Sequence, residues 1–443
     1  MKNVHFVSLG CARNLVDSEV MAGLLAKEGY KISGAPEEAE LIVVNTCGFI
    51  DQAKQESIDH ILEAAQYKNP DKGKCEHLVV TGCLSERYPQ ELHDSIPEID
   101  LITGSAGFSH IVEKVDGLKS KTLPTISVDD TRLKDYELPR INSQAFYTAY
   151  LKLAEGCAKR CSFCIIPKLR GNLRSRSVDS LIKEAHQLVE GGVKEINLIA
   201  QDLTDYGRDR NDGASLATLL KELVKIEKLK WIRLFYTYPD QLDDEVISLI
   251  KNESKICKYL DVPVQHIHDV ILKRMNRHTS GSQISSMIQK LKKEIPEIII
   301  RTSLMVGFPG ESDEHFEALK EFVELGLLDQ VGVFTYSHEE GTGAFMLKDD
   351  VPAAVKEKRK KIIHDTQLKI QKKRLKNFVG KKLSVLVEGP HEETPLLLKG
   401  RHFGQAPEID TCTLINGGQA NIGDFVEVEI ESVVGMDLCG PIV

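Results

Sequence analysis

The sequence lacks both a long hydrophobic run and an excess of positive charge. No apolar stretch approaches the roughly 20 residues that cross a bilayer, and the start, MKNVHFVSLGCARN, has too short an apolar core for a signal peptide. The 57 Lys and Arg residues are outnumbered by 66 Asp and Glu residues, which gives a net charge of −9. Because phosphate binding favours a basic surface, this balance argues against a nucleic acid as the main partner.

Ten cysteines are present, but nothing indicates that they pair as disulfides. A chain without an export signal is expected to stay in a reducing compartment, where cysteines are more often ligands or core residues. The composition, with 42% apolar and 28% charged residues, is typical of a globular protein. We therefore expect a cytoplasmic metalloenzyme, and its length of 443 residues predicts two to four domains.

One short segment, residues 155–176, concentrates three of these cysteines. Cys157, Cys161 and Cys164 form a C-x₃-C-x₂-C array directly after the apolar run Tyr147–Leu153. A closed structural zinc site takes four protein ligands, and no further Cys or His follows at a suitable spacing. An iron–sulfur cluster tolerates three cysteines, because its fourth iron then stays open to another ligand. The alternative is three buried, apolar cysteines, which the polar residues between them disfavour.

The array resembles the signature of the radical S-adenosylmethionine (SAM) enzymes, and its form CSFCIIPKLRG is similar to their methylthiotransferase branch. The resemblance implies a 4Fe–4S cluster on Cys157, Cys161 and Cys164, whose open iron chelates SAM. It also implies that electron transfer from this cluster cleaves SAM to a 5′-deoxyadenosyl radical. We therefore interpret the three cysteines as metal ligands and as catalytic residues.

Residues 1–140 alternate predicted strands with predicted helices. Apolar runs predict strands at Val4–Ser8, Leu41–Val44 and His77–Val80. Helical periodicity between them predicts an α/β domain with a parallel sheet.

Three further cysteines occupy equivalent positions in this pattern. Cys11, Cys47 and Cys83 are 36 residues apart, each just past the carboxyl end of a predicted strand. Because ligands of open parallel sheets bind outside these strand ends, we expect the three thiols to converge there. Core cysteines with coincidental spacing are the alternative. Cys75 lies out of register and is interpreted as incidental.

The segments around these cysteines, SLGCARNLVDSE, VNTCGFIDQAKQES and TGCLSERYPQEL, also resemble the methylthiotransferase family. In that family the matching cysteines hold a second 4Fe–4S cluster, which carries the sulfur to be transferred. The resemblance therefore implies that Cys11, Cys47 and Cys83 are metal ligands. It also implies a sulfide or polysulfide as the sulfur source.

Residues 141–350 continue the alternation of strands and helices. Strands are predicted at Glu195–Ala200, Trp231–Tyr236, Leu260–Val264, Ile298–Val306 and Gln330–Phe334. Such a series predicts a complete or partial β/α barrel, whose chemistry lies at the carboxyl ends of the strands.

Three segments of this region, IAQDLTDYG, VPVQHIHDVILKRMNRHT and RTSLMVGFPGE, match the family in order. By resemblance, the candidate contacts of SAM or substrate are Gln201, Asp202, Gln265, Arg301, Gly307 and Gly310. The loop GFPGES can cradle SAM through its backbone amides, but an ordinary βα turn explains it equally well. His266 and His268 lack a third metal ligand nearby and are interpreted as packed or hydrogen-bonded histidines.

The remaining chain divides into a helical linker, residues 351–379, and a strand-rich segment, residues 380–443. The linker is dense in Lys and Arg, which suits either phosphate binding or a solvated helix. Strand-like alternation from residue 380 onward predicts a small antiparallel β-barrel, which resembles the TRAM domain that closes methylthiotransferases. This segment contains four Lys or Arg and ten Asp or Glu. Its negative surplus favours a basic protein partner and disfavours RNA.

The resemblance covers nearly the whole chain and implies a multidomain α/β enzyme. Within the family, SLGCARNLVDSE, NTCGFIDQAKQES and QAPEID are most similar to the members that modify a ribosomal protein. These members add a methylthio group to the β-carbon of an aspartate in a basic small-subunit protein, and a reduced flavodoxin- or ferredoxin-like protein is the implied electron donor. The alternatives are a tRNA adenosine methylthiotransferase and a non-catalytic iron–sulfur electron carrier or RNA-binding regulator.

Overall fold

The computed structural model describes residues 2–120, 125–128, 135–239, 241–394 and 396–443. Its strands form three main sheets and one two-stranded ribbon. Within the described ranges, no helix combines the length and hydrophobicity that a membrane span requires.

The first sheet contains five parallel strands in the order β2-β1-β3-β4-β5. The strands are β1 (Asn3–Ser8), β2 (Lys31–Ile32), β3 (Leu41–Thr46), β4 (His77–Gly82) and β5 (Leu101–Ile102). The helices are α1 (Ala12–Lys27), α2 (Asp51–Gln66), α3 (Cys83–Arg87), α4 (Pro89–Ser95) and α5 (Ile111–Lys119). Every residue of the central strand β3 is buried, because helices cover both faces of a parallel sheet.

The second sheet contains six parallel strands in the order β13-β12-β11-β10-β9-β6 and forms an open, partial barrel. The strands are β6 (Thr148–Lys152), β9 (Glu195–Ile199), β10 (Trp231–Leu234), β11 (Ile256–Asp261), β12 (Ile299–Val306) and β13 (Gln330–Thr335), and the ribbon is β7 (Ala154–Glu155) with β8 (Arg174–Ser175). The helices are α6 (Ile166–Leu169), α7 (Val178–Glu190), α8 (Leu216–Leu223), α9 (Asp244–Asn252), α10 (Asp269–Arg274), α11 (Gly281–Glu294), α12 (Asp313–Glu324) and the linker helix α13 (Ala353–Leu375).

Strand β11 differs from its predicted position at Leu260–Val264. It begins at Ile256 and ends at Asp261, so the prediction started late and ran past the strand end. The buried residues Val262 and Val264 extended the apolar run. Pro263 between them has no N–H group with which to continue the ladder.

The third sheet has the order β17-β14-β15-β16-β19-β18 and is antiparallel except for the pair β16 and β19. Its strands are β14 (Lys382–Pro390), β15 (Leu398–His402), β16 (Thr413–Ile415), β17 (Phe425–Glu429), β18 (Ser432–Val434) and β19 (Asp437–Gly440). An antiparallel bridge between Val428 and Ile442 joins the end of the chain to β17. This bridge closes the sheet, as the barrel prediction requires.

A buried ion network fixes the third sheet against the second. The Glu195 side chain is fully buried and accepts hydrogen bonds from Arg401 Nη2 at 2.7 Å and from Arg233 Nη2 at 3.1 Å. Arg233 Nη1 also donates to the Phe403 carbonyl at 2.6 Å. The carboxyl-terminal barrel is therefore docked on the central sheet by charged groups that water does not reach.

Candidate functional site

A cavity of about 350 Å³ lies where the carboxyl ends of the first and second sheets face each other. Its size is within the range of ligand sites in proteins, roughly 300 to 1,000 Å³. The cysteines that line it are Cys11, Cys47, Cys83, Cys157, Cys161 and Cys164. All six candidate ligands therefore belong to one site, and each sheet contributes three of them.

The first group of cysteines follows three adjacent strands, β1, β3 and β4. Cys47 and Cys83 come directly after β3 and β4, and Cys11 immediately precedes α1. The chain leaves β1 through Gly10, whose φ of 89° suits glycine. A Cβ atom at Gly10 would lie 2.7 Å from the Cys47 Cβ atom. Glycine is therefore required here for the loops that bear Cys11 and Cys47 to approach each other.

The second group lies in the loop that the two-stranded ribbon encloses. The ribbon pairs Glu155 with Arg174 at the base of this loop. Inside it, the Cys157 N–H donates to the Gly171 carbonyl at 3.1 Å, and the Ser162 N–H donates to the Met275 carbonyl at 2.9 Å. Backbone hydrogen bonds thus position the cysteine loop against α10 and hold it at the cavity.

The surroundings of the thiols differ between the cysteines. Burial raises the pKa of Cys83 and Cys157 to about 11 and that of Cys164 to about 12. Burial also opposes ionisation of Cys11, but the positive charges of Arg13 and Arg170 outweigh it and lower the pKa of this thiol. Thiols of this kind are ionised by binding a metal, which makes the site suited to a metal cluster.

The donor set consists of six cysteine thiols, the ligand type that iron–sulfur clusters take. Among the described residues, no three His, Cys, Asp or Glu side chains come together closely enough to hold a single ion. In a 4Fe–4S cluster each thiolate binds a different iron, so its ligands are spread more widely. Buried polar atoms without a hydrogen-bond partner, including Gln201 Nε2, Asp202 Oδ2 and Arg277 Nε, also belong to residues that line the cavity. Such atoms are expected where a polar group binds.

The structure brings three of the six predicted SAM or substrate contacts to the cavity, namely Gln201, Asp202 and Gln265. Arg301 does not line it, and its Nη1 atom instead donates to Asp261 Oδ1 at 3.1 Å. Asp410 of the carboxyl-terminal barrel lies 3.9 Å from its Nε atom.

Gly307 and Gly310 also lie outside the cavity lining. The Gly307 N–H donates to Glu311 Oε2 at 2.8 Å, and the Gly310 N–H donates to Asp350 Oδ1 at 2.7 Å. The backbone amides of both glycines are therefore already engaged by carboxylates. Neighbouring His266 is fully buried, and burial lowers the pKa of its imidazole to about 3, which agrees with a packed histidine.

Three cavity residues, Tyr236, Arg13 and Arg277, were not identified from the sequence, whereas Tyr238 follows a predicted strand end. Tyr236 and Tyr238 follow β10, and the guanidinium groups of Arg13 and Arg277 lie 4.9 and 4.2 Å from their respective ring centres. Tyr236 was predicted to lie inside the strand, which ends at Leu234 in the structure, so only Tyr238 had the strand-end signal. Nothing in the local sequence places Arg13, which comes from the other sheet, on Tyr236.

A buried ion network behind the cysteines joins the first and second sheets. Arg170 Nη2 donates to Asp17 Oδ2 at 3.0 Å, and Arg170 Nη1 donates to Glu155 Oε2 at 2.9 Å. Lys152 also contacts both carboxylates. Asp17 belongs to α1 of the first sheet's domain, whereas Lys152, Glu155 and Arg170 belong to the domain of the second sheet. The network therefore fixes one group of cysteines relative to the other.

Three family models match the chain. These are the uncharacterized protein family UPF0004 over residues 3–104, the Radical SAM superfamily over residues 151–323 and the TRAM domain over residues 379–443. The last two matches confirm the predicted radical SAM region and the TRAM-like barrel.

Curated relatives cover the whole chain. A protein of Geotalea uraniireducens named ribosomal protein uS12 methylthiotransferase RimO is 50% identical over 445 residues, which cover 100% of this chain and 98% of that protein. A protein of Geobacter sulfurreducens with the same name is 49% identical over 443 residues, with 100% and 99% covered. These relatives confirm the predicted family.

Two radical SAM enzymes of known structure share the fold. The methyltransferase TsrM from Kitasatospora setae, solved with cobalamin and a [4Fe-4S] cluster, gives a TM-score of 0.56 at 16% identity and covers 75% of each chain. The cobalamin-dependent enzyme OxsB gives a TM-score of 0.51 at 13% identity, covering 84% of this chain and 56% of that chain. At these identities the likeness concerns the fold alone, which agrees with the predicted central domain.

Proposed function

We propose that the chain, which belongs to the family of ribosomal protein uS12 methylthiotransferases, replaces a β-hydrogen of an aspartate in uS12 with a methylthio group. The chain is a radical SAM enzyme, so an iron–sulfur cluster and SAM are its cofactors. The observation that carries the more specific proposal is the shared cavity, which three cysteines from each of two sheets line.

Each group of cysteines is proposed to hold one 4Fe–4S cluster. Cys157, Cys161 and Cys164 would hold the cluster that binds SAM, and the group on the first sheet would hold the cluster that carries a sulfide- or polysulfide-derived sulfur. When bound, these groups would supply a radical that removes hydrogen from an unactivated carbon and the sulfur that replaces it, and a second SAM would supply the methyl group of the methylthio product. A C–H bond beside a carboxylate is too weakly acidic for an ordinary general base, which explains why such chemistry is needed.

The residues of the chain supply orientation, and they exclude water. Gln201, Asp202 and Gln265 present polar atoms at the strand ends, where they can orient SAM or the substrate. Lys159 lies 3.2 Å from Asp205 and 3.7 Å from Asp202, so it fixes these carboxylates beside the cysteine loop. The domains are proposed to divide these roles. Residues 1–140 would hold the sulfur-carrying cluster, residues 141–350 would bind SAM, and residues 380–443 would bind the substrate.

The carboxyl-terminal barrel is proposed to attract the basic substrate. Four of its ten acidic residues make contacts within the fold: Glu388, Asp410, Asp424 and Asp437. Five others are exposed: Glu392, Glu393, Glu408, Glu427 and Glu431. Of the four basic residues, Arg401 is buried and Lys399 pairs with Glu392, so only Lys381 and Lys382 are fully exposed. The negative surplus therefore lies on the surface, where it can act on a partner.

The linker helix α13 uses part of its positive charge within the fold, which bears on the alternative tRNA substrate. Arg359 of α13 is buried and donates to Glu311 Oε1 at 2.7 Å, and Lys356 is buried and donates to Asp349 at 2.8 Å. Arg374 contacts Asp329. These three side chains hold the helix against the second sheet and are not available to phosphates. The exposed basic residues of the helix, which include Lys358, Lys360, Lys361, Lys372 and Lys373, remain available, so the helix does not decide between the two substrates.

The electron donor is proposed to be an acidic flavodoxin- or ferredoxin-like protein that docks beside the cysteine loop. Four basic residues are exposed there: Arg160, Lys168, Lys273 and Arg274. The Ser162 hydroxyl donates to the Arg274 carbonyl at 2.8 Å, which joins the loop to α10. Among the described residues none of the four lies within salt-bridge distance of a carboxylate. Lys168→Glu combined with Lys273→Glu should slow reduction by the protein donor and spare reduction by dithionite.

The test of the proposed function uses anaerobically reconstituted enzyme with SAM and a reductant. A peptide of the uS12 target loop and a tRNA anticodon stem-loop are offered in parallel, and mass spectrometry follows replacement of hydrogen by a methylthio group. Modified peptide supports the proposal. Modified RNA with unmodified peptide overturns the choice of substrate, and absence of SAM cleavage in the complete system overturns the radical mechanism.

A further inference from the structure

Arg13 is a cavity residue whose guanidinium group forms no ion pair with a carboxylate among the described residues. It follows Cys11 by two positions and lines the cavity between the first and second sheets. Its Nη1 atom donates to the Ala200 carbonyl of the second sheet at 2.8 Å. Its buried Nε atom has no hydrogen-bond partner. Within the described ranges, no carboxylate lies within salt-bridge distance of its guanidinium group.

The other basic side chains of the cavity are committed elsewhere. Lys159 pairs with Asp202 and Asp205, and Arg170 pairs with two buried carboxylates. Arg277 resembles Arg13 in lacking a carboxylate partner, but its Nη1 atom lies 3.9 Å from Cys161 Sγ and its Nη2 atom donates to the Pro263 carbonyl. Arg277 therefore belongs to the side of the cavity that the cysteine loop forms.

The position of Arg13 matches what an aspartate substrate requires. The reacting methylene group of aspartate is bonded directly to its carboxylate, so the carboxylate must enter the space between the two groups of cysteines. A carboxylate that leaves water is stabilised best by a guanidinium group, which can donate two parallel hydrogen bonds. Because Nη1 is bound to Ala200, the Nε–Nη2 edge of Arg13 is the edge that remains for this purpose.

We propose that Arg13 binds the side-chain carboxylate of the substrate aspartate and thereby determines the choice of aspartate over an uncharged residue. This inference rests on the proposed function, since it concerns the same cavity and the same substrate. It assigns to the first sheet a direct part in recognising the substrate, in addition to holding cysteines. A competing role is charge compensation, in which Arg13 stabilises a negatively charged cluster on Cys11, its neighbour in the chain.

The experiment compares two peptides of the uS12 target loop that carry either Asp or Asn at the reacting position. Their dissociation constants are measured by fluorescence anisotropy on reconstituted enzyme with SAM, for the wild type and for Arg13→Gln, Arg13→Lys and Arg277→Gln. Both peptides are tested on the same preparation, so incomplete folding or cluster loading affects both measurements and cancels from their ratio. The iron content of each preparation is measured in parallel.

The wild type is expected to bind the Asp peptide about 10-fold or more tightly than the Asn peptide, because charge-assisted hydrogen bonds are stronger than neutral ones. Arg13→Gln should lower this ratio to about one, Arg13→Lys should give an intermediate ratio, and Arg277→Gln should retain the wild-type ratio.

A wild-type ratio of one, or an Arg13→Gln variant that keeps the wild-type ratio, would overturn the assignment. Loss of iron from Arg13→Gln with an unchanged ratio would establish charge compensation instead. Failure of the wild type to bind either peptide would refute the proposed substrate itself, and this outcome is distinct from failure of the Arg13 assignment.

Discussion

The buried carboxylate of Glu195 gives the sharpest stability prediction. Replacing it with glutamine keeps its shape but leaves Arg233 without a carboxylate partner and Arg401 with Glu388 alone. Burial raises the pKa of Glu195, but the charges of Arg401 and Arg233 outweigh this effect and lower it from 4.5 to about 2. Such a shift corresponds to about 3 kcal/mol, which agrees with the ~3 to 5 kcal/mol expected when a buried ion pair loses one partner.

The pH dependence follows from the direction of this shift. Because the pKa is lower in the folded protein, the contribution is complete above the ordinary pKa of 4.5 and is lost as the pH falls towards about 2. Amide hydrogen exchange should therefore be faster in β14 and β15 of Glu195→Gln at neutral pH. Between pH 5 and pH 3, the protection factors of these amides, which correct for the intrinsic exchange rate at each pH, should fall in the wild type and change less in the variant.

The matched control is Glu392→Gln, which breaks the exposed pair between Glu392 and Lys399 in the same barrel. Exposed pairs contribute between zero and about 1 kcal/mol, so this variant should exchange like the wild type. Equal exchange in Glu195→Gln and Glu392→Gln would contradict the conclusion that the buried network holds the barrel in place.

Three other changes test the site and its supports. Cys157→Ala should abolish 5′-deoxyadenosine formation, whereas Cys83→Ala should retain it but lose the methylthio product. Liquid chromatography with mass spectrometry measures both products. If the two variants formed the same amounts of both, the separate roles of the two groups of cysteines would be refuted. Gly10→Ala should lower the iron content, because its Cβ atom would lie 2.7 Å from Cys47 Cβ. Gly29→Ala is the control: Gly29 also has a positive φ angle, but no atom lies within 4 Å of its added Cβ atom. Glu339→Gln should lower the free energy of local opening by about 3 kcal/mol, since its buried carboxylate binds Arg87 and Lys54 at 3.1 and 2.9 Å. Unchanged hydrogen exchange in α3 would contradict this.

The elements that the sequence predicted well are those whose signal is local. Strands β3 and β4 are continuous apolar runs, and cysteines follow them directly, so both the parallel sheet and the clustering of Cys47 and Cys83 could be inferred. Helix α7 also has a local signal, because Ser177 caps it and its apolar residues have helical spacing.

Other features depend on contacts between distant segments and have no local signal. Lys152 lies in a strand beside apolar residues, and only the fold shows that Asp17 neutralises it. Whether the two groups of cysteines share a cavity is likewise decided by the packing of one sheet against the other. The GFPGES loop is the opposite case: its local pattern resembles a ligand-binding loop, but its two glycine amides donate to Glu311 and Asp350.

The cavity lies between two sheets, so residues that join the sheets outside the reaction site can influence it. Glu339 joins the units that contain the two sheets at one place, and Arg170 joins them at another. Substitutions at these two positions are expected to alter the distance between the two groups of cysteines. They would therefore produce uncoupled turnover, in which SAM is consumed without a modified product, while the cysteines themselves remain intact.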